Sequence, residues 1–188
     1  VTLYYEEHGS GPAILLTHGF SATSQMWAGQ IEALSKNHTL ILWGMRGHGR
    51  SDYPEEMAAY TEAHTVADMA AILDAEGIDR AIIGGLSLGG YMSLGFHCVY
   101  PKRVRALLII DSGPGYKSDK GRDAWNVTCE ATAQDFEENG LARLATRSAE
   151  MASSTHRSAA GLARAARGMM AQQDSHVIVS LPGIEVPT

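Results

Sequence analysis

The sequence predicts an α/β chain: a three-layer αβα core with a mostly parallel sheet, plus a helical cap inserted after the fifth strand. Three observations predict it. Short apolar runs alternate with amphipathic stretches through the first 115 residues, the pattern of a sheet covered by helices on both faces. Several of these runs end directly in glycine-rich loops, at His18-Gly19, Gly44–Gly49 and Gly84-Gly85. After Pro114 the pattern becomes polar, Ala-rich and helical, with little strand signal. The 188 residues suit one domain with a modest insertion. Apolar residues at 45% supply a core, and charged residues at 19% argue against a disordered chain.

In chain order, Thr2–Glu6 is the first expected strand, followed by the turn Gly9-Ser10-Gly11-Pro12. Ala13–Thr17 is a buried strand. Trp27, Ile31 and Leu34 recur at helical spacing, and Thr39–Trp43 is the next strand. Val66, Met69, Ala70 and Leu73 form an i, i+3, i+4, i+7 stripe on a second helix that stops at Gly77. Arg80–Gly84 is a strand that runs into Gly85-Leu86-Ser87-Leu88-Gly89-Gly90. A helix follows to about Val99, ended by Pro101, and Val104–Ile110 is the most apolar strand. Residues 1–115 thus form the core, 116–179 the helical cap, and 180–188 the start of a return to the core. Within the cap, Leu162, Ala165, Ala166 and Met169 make one apolar stripe. The arginines at 143, 147, 157, 164 and 167 read as a solvated face rather than an anion site.

The net charge of −6 gives no reason to expect nucleic acid or an anionic membrane as partner. No apolar run approaches the ~20 residues of a membrane helix, and no signal peptide opens the sequence, so the expected location is cytoplasmic. Cys98 and Cys129 match no metal spacing and are expected as free thiols. The histidines show no ligand spacing either. No metal and no cofactor are expected.

A serine hydroxyl is a poor nucleophile until it is exposed, oriented and relieved of its proton. The pattern G-x-S-x-G, here Gly85 to Gly89, raises a serine on a sharp turn at the amino end of a helix. Composition alone gives roughly one such match in six chains of this make-up. Its position after an apolar strand and before an apolar helix is what singles out Ser87 as nucleophile. The backbone N–H groups of Leu88 and of Phe20, in His18-Gly19-Phe20, would supply the two donors of an oxyanion hole. His48, within Arg46-Gly47-His48-Gly49-Arg50-Ser51-Asp52, is expected to hydrogen-bond within its own loop.

With these three motifs in this order the sequence resembles the α/β-hydrolase superfamily, and within it small bacterial esterases, lactonases and carbon–carbon bond hydrolases. The resemblance runs through residues 3–114, with Tyr4-Tyr5-Glu6 and Asp111-Ser112-Gly113-Pro114 also fitting. It implies acyl transfer through Ser87, because family members with aspartate at the elbow are dehalogenases and epoxide hydrolases. The expected partner is a small carboxylic ester. Trp43 stands where many relatives carry aspartate, a change expected to reshape the pocket. Residues 116–179 would be a lid, with Trp125, Phe136 and Met151 as candidate lining residues.

In this family the acid and the histidine follow the serine in that order. Here the sequence reads as truncated before the usual acid and histidine, and Val104–Ile110 would be an edge strand with bare hydrogen-bonding groups. Three readings stay open. One is a catalytically impaired fragment of a longer hydrolase. Another is a short form with a rebuilt triad: Asp111 as substitute acid, His156, His176 or a histidine of a second copy as base, and a homodimer covering the exposed sheet edge. The third is a non-catalytic ligand-binding protein on the same fold.

Overall fold

In the computed structural model, which describes residues 1–146 and 154–188, five strands form one sheet. They are β1 (Tyr5–His8), β2 (Ala13–Thr17), β3 (Thr39–Trp43), β4 (Ala81–Leu86) and β5 (Val104–Ile110), in the order β1-β3-β2-β4-β5. β1 runs antiparallel to β3, and the other three pairings are parallel. The first strand is displaced from its expected position at Thr2–Glu6. The backbone there serves the loop after β3 instead. Asp52 N–H donates to Thr2 O at 3.0 Å, Gly44 N–H to Tyr4 O at 3.0 Å, and Tyr4 N–H to Ser51 Oγ at 2.9 Å.

Helices cover both faces, because the apolar runs of the central strands send alternate residues to opposite sides. Ile14, Leu16, Leu40 and Leu42 pack with Trp27, Ile31 and Leu34 of α1 (Ala28–Leu34) and the 3-10 turn before it. Leu15, Ile41, Trp43 and Ile83 point the other way, onto α2 (Glu62–Ala75) and α3 (Leu88–Val99). On α2 the stripe Val66, Met69, Ala70 and Leu73 is buried, and Thr61 caps the helix by accepting from His64 N–H. Trp43 belongs to this core rather than to a pocket wall. Its indole N–H donates to Thr17 Oγ1 at 3.0 Å, and the side chain is fully buried.

After Pro114 the described chain is helical. α4 (Asp119–Asn139) is capped by Ser118, and α5 (Ala159–Ala165) continues through a π turn to Met170. α6 (His176–Ser180) is a short final helix. Phe136 and Ala133 of α4 pack against Leu162, Ala163 and Ala166. The stripe Leu162, Ala165, Ala166 and Met169 is fully buried. The arginines of this segment serve structure. Arg143 pairs with Asp135, Arg167 with Glu130 and Glu137, and Arg164 donates to Pro54 O. Arg157 donates to Ser51 O, and Arg147 lies outside the described residues.

β5 ends the sheet among the described residues, with Leu108 and Ile110 39% and 40% exposed. It is not wholly bare. Leu107 N–H donates to Pro187 O at 2.8 Å, so the last residues lie alongside it. No described helix is long and apolar enough to cross a membrane.

One buried ion pair ties the loop after β3 to α2. Arg46 Nε and Nη2 reach the two oxygens of Asp68 at 2.7 and 2.8 Å, and Nη1 donates to Ala59 O. Removing one partner of such a pair strands a buried charge, which typically costs ~3–5 kcal/mol. Asp68→Ala is therefore expected to lower stability by about 3 kcal/mol, read as a fall in the urea midpoint with an unchanged slope.

Candidate active site

Between β4 and α3 the chain turns on Ser87, which has φ 52° and ψ −115°. A non-glycine residue rarely adopts this left-handed region, and it persists only where surrounding bonds enforce it. Here they do. Ser87 N–H donates to Ile110 O at 2.9 Å, while Ser87 O accepts from Gly90 N–H, Tyr91 N–H and, at 2.7 Å, Ser112 Oγ. The side chain is exposed and makes no capping hydrogen bond to α3, so the hydroxyl is free to face a ligand. The flanking glycines act by size. A Cβ on Gly89 would lie 2.2 Å from Thr17 O, and one on Gly85 would lie 2.4 Å from the Gly89 carbonyl carbon. The strained torsion falls on the serine itself, and the glycines let α3 approach β2.

The loop after β2 lies against this turn. A Cβ built on Gly19 would sit 3.8 Å from Ser87 Cβ. Phe20 and Leu88 both line the cavity that contains Ser87. Leu88 opens α3, so its N–H has no intrahelical acceptor. Among the described residues neither N–H finds an acceptor. The arrangement suits a pair of donors beside an exposed hydroxyl.

Three buried imidazoles hold that loop. His18 Nδ1–H donates to Gly19 O at 2.7 Å while its Nε2 accepts from Met45 N–H at 3.0 Å. His48 Nδ1–H donates to Arg46 O and its Nε2 accepts from Ser21 N–H at 3.2 Å. His156 Nε2–H donates to Ser21 O and its Nδ1 accepts from Gly49 N–H at 3.2 Å. Each ring thus needs one donor and one acceptor nitrogen, the neutral form. Ring centroids lie 4.9 Å apart for His18 and His48, and 5.7 Å for His48 and His156. Burial pushes the His18 pKa down to about 4, holds His48 well below its usual range, and lowers His156.

The cavity around Ser87 has a volume of about 390 Å³, within the size range of small-molecule sites. Asp111 and Ser112 form the wall at the end of β5, where Asp111 is exposed and has φ 44°. Tyr116, Trp125, Met170 and Gln172 form the side contributed after Pro114. The expected lining residue Trp125 is in place. Phe136 is not, being buried between α4 and α5, and Met151 lies outside the described residues.

The structure brings Asp111 to the same cavity as Ser87 but brings neither candidate base there. His156 is fixed under the loop after β2 with both ring nitrogens engaged. His176 Nε2 meets Glu62 Oε1 at 2.8 Å and its Nδ1 meets Asp174 Oδ1 at 2.5 Å. Burial opposes its charged form, but the bonds to Asp174 and Glu62 outweigh it and raise the pKa. None of the eight histidines, all among the described residues, lines the cavity. Two further features had no sequence signal: Gln172 in the wall, and the Tyr91 hydroxyl donating to Glu62 Oε2 at 2.8 Å. Burial and the Glu62 carboxylate push that phenol far up. Among the described residues no cluster of three His, Cys, Asp or Glu side chains is arranged to hold a metal ion.

The sequence matches the family model for the alpha/beta hydrolase fold over residues 12–186. The chain belongs to that family. Relatives of this alpha/beta hydrolase include the RutD protein of Azorhizobium caulinodans, 39% identical over 109 residues, which are 58% of this chain and 40% of RutD. An epoxide hydrolase of Caballeronia sordidicola is 36% identical over 108 residues, 57% of this chain and 33% of that protein. Among solved structures, a thermophilic esterase from Thermogutta terrifontis superposes with a TM-score of 0.77 at 26% identity, covering 99% of this chain and 72% of the esterase. The matched segment is thus two fifths or less of the length of the first two relatives.

Proposed function

We propose that this alpha/beta hydrolase chain carries the nucleophile of a serine hydrolase that cleaves small carboxylic esters. One observation carries the reading: an exposed, uncapped Ser87 held in a left-handed turn at the start of α3, beside two N–H groups without acceptors. Ser87 Oγ would attack the ester carbon, and the Phe20 and Leu88 N–H groups would hold the oxygen that becomes negative. The alcohol then leaves with the proton, and water releases the acid from acyl-Ser87 and restores the hydroxyl. The serine also favours acyl transfer over the chemistry named for the epoxide hydrolase relative, and the esterase among the structural neighbours supports the same direction. A lactone would enter the same sequence of steps.

The test is incubation with an alkyl fluorophosphonate followed by intact-mass and peptide analysis. One adduct per chain, on Ser87, is expected; its absence, or its location elsewhere, would reject the proposal. With no histidine in the cavity wall, ester hydrolysis by these 188 residues is expected to be slow and flat between pH 6 and 8. A sigmoid there would show that a histidine of a second copy reaches Ser87.

A further inference from the structure

We propose that Gln172 is a specificity-determining residue of the Ser87 cavity, and that it selects uncharged acyl groups bearing a hydrogen-bond acceptor such as a ketone oxygen. This rests on the reading of Ser87 as nucleophile.

Gln172 is 8% exposed and lines the cavity. Its orientation is set by its neighbours. Tyr116 N–H needs an acceptor and finds Oε1 at 3.0 Å, which fixes the amide with Nε2 as the free end. The Gln172 backbone is clamped from the other side. Its N–H donates to Asn126 Oδ1 at 2.8 Å, and its carbonyl accepts from Asn126 Nδ2 at 2.9 Å. Gly115 lies flat against the carboxamide, where a Cβ would come within 2.7 Å of Oε1.

The other side-chain donors of the wall are already engaged. The Trp125 indole N–H donates to Met170 O at 2.7 Å, Ser112 Oγ to Ser87 O, and the Tyr91 hydroxyl to Glu62. Tyr116, 43% exposed, stands at the solvent edge. Gln172 Nε2 has no protein acceptor among the described residues. It is therefore the pre-positioned side-chain donor, in a lining whose apolar part is Phe20, Leu88, Trp125 and Met170. A donor that a bound ligand covers favours a ligand able to pair with it over one that leaves it unpaired.

Charge narrows the class further. The described lining holds no Lys, Arg or His, and its one carboxylic acid is Asp111. An acyl group carrying its own carboxylate would meet a like charge and no cation.

The experiment measures second-order rates of Ser87 labelling by three fluorophosphonates with pentyl, 4-oxopentyl and 4-carboxybutyl chains. The parent chain is expected to favour 4-oxopentyl over pentyl by about tenfold, the upper end of what one hydrogen bond is worth, and to react slowest with 4-carboxybutyl. Gln172→Glu keeps the acceptor for Tyr116 N–H and removes the donor, and Gln172→Leu removes both. In each variant the ratio of the 4-oxopentyl to the pentyl rate is expected to fall to about one. Equal rates for the two neutral probes in the parent, an undiminished ratio in Gln172→Glu, or a preference for 4-carboxybutyl would overturn the proposal while leaving Ser87 as nucleophile. No labelling by any probe would reject the Ser87 reading itself, and this inference with it.

Discussion

A Ser87→Ala chain is expected to take up no fluorophosphonate, against one group per chain in the parent. The change is all-or-none because Ser87 carries the exposed hydroxyl that lies, among the described residues, beside the two N–H groups without acceptors. Fluoride leaves without needing a proton, but the attacking hydroxyl must still give up its own, here to water, so labelling is expected to be slow and is followed to completion over a long incubation. Ester turnover should respond differently. In a complete triad the loss of the serine costs on the order of 10⁶ in kcat, because the members act as a unit. Where the base does not reach the cavity, the remaining acceleration is about 10³–10⁴ over water, from the oxyanion hole and binding. That part survives removal of the hydroxyl. Hydrolysis of a p-nitrophenyl ester by Ser87→Ala is thus expected to stay within about tenfold of the parent. A fall of 10⁴ or more would show that a base from a second copy completes the site.

The second large effect is acid unfolding below neutrality. His18, His48 and His156 have lower pKa values folded than their ordinary 6.5, so the unfolded chain takes up protons first. Their stabilisation is complete above about pH 6.5 and is lost as the pH falls from there toward about 4. His18 alone accounts for on the order of 3 kcal/mol over that window, and His48 loses stability in the same direction. His176 acts in the opposite sense. Its raised folded pKa contributes stability that is present below pH 6.5 and lost as the pH rises through its folded value. Urea denaturation at a series of pH values should show uptake of about two protons on unfolding near pH 5.5, from His18 and His48, with His156 adding in the same direction. His18→Gln should reduce that slope by about one proton. An unchanged slope would mean that His18 already carries its second proton when folded.

The two effects differ in how far the sequence announces them. The turn at Ser87 was legible because it is local: a strand, five residues and a helix, all contiguous. The alternating apolar residues of β2 and β3 made the layered core legible in the same way. The histidine network was not. His156 lies 107 residues from Gly49, which it accepts from, and a lone histidine in a polar segment carries no mark of what it will meet. Reading it as a candidate base followed from its residue type; its burial between two loops decides otherwise. The Arg46–Asp68 pair spans two elements with no helical spacing to betray it. Trp43 reads as a pocket substitution from family pattern alone, while the alternation of β3 sends it into the core. Gln172 is silent for a similar reason. Its role depends on which of its two amide ends Tyr116 claims, and that is settled by folding.

The pairing of Asn126 with the backbone of Gln172 has a consequence for how this protein can change. One side-chain carboxamide gives and takes a hydrogen bond with the main chain, as an adjacent strand would. In a region built of helices, that residue adds a strand-like pair of bonds to the ties α4 already makes through Trp125, Glu130, Glu137 and Phe136. Because several contacts share the load, drift at one exposed position of that helix can alter the cavity wall while its frame stays still.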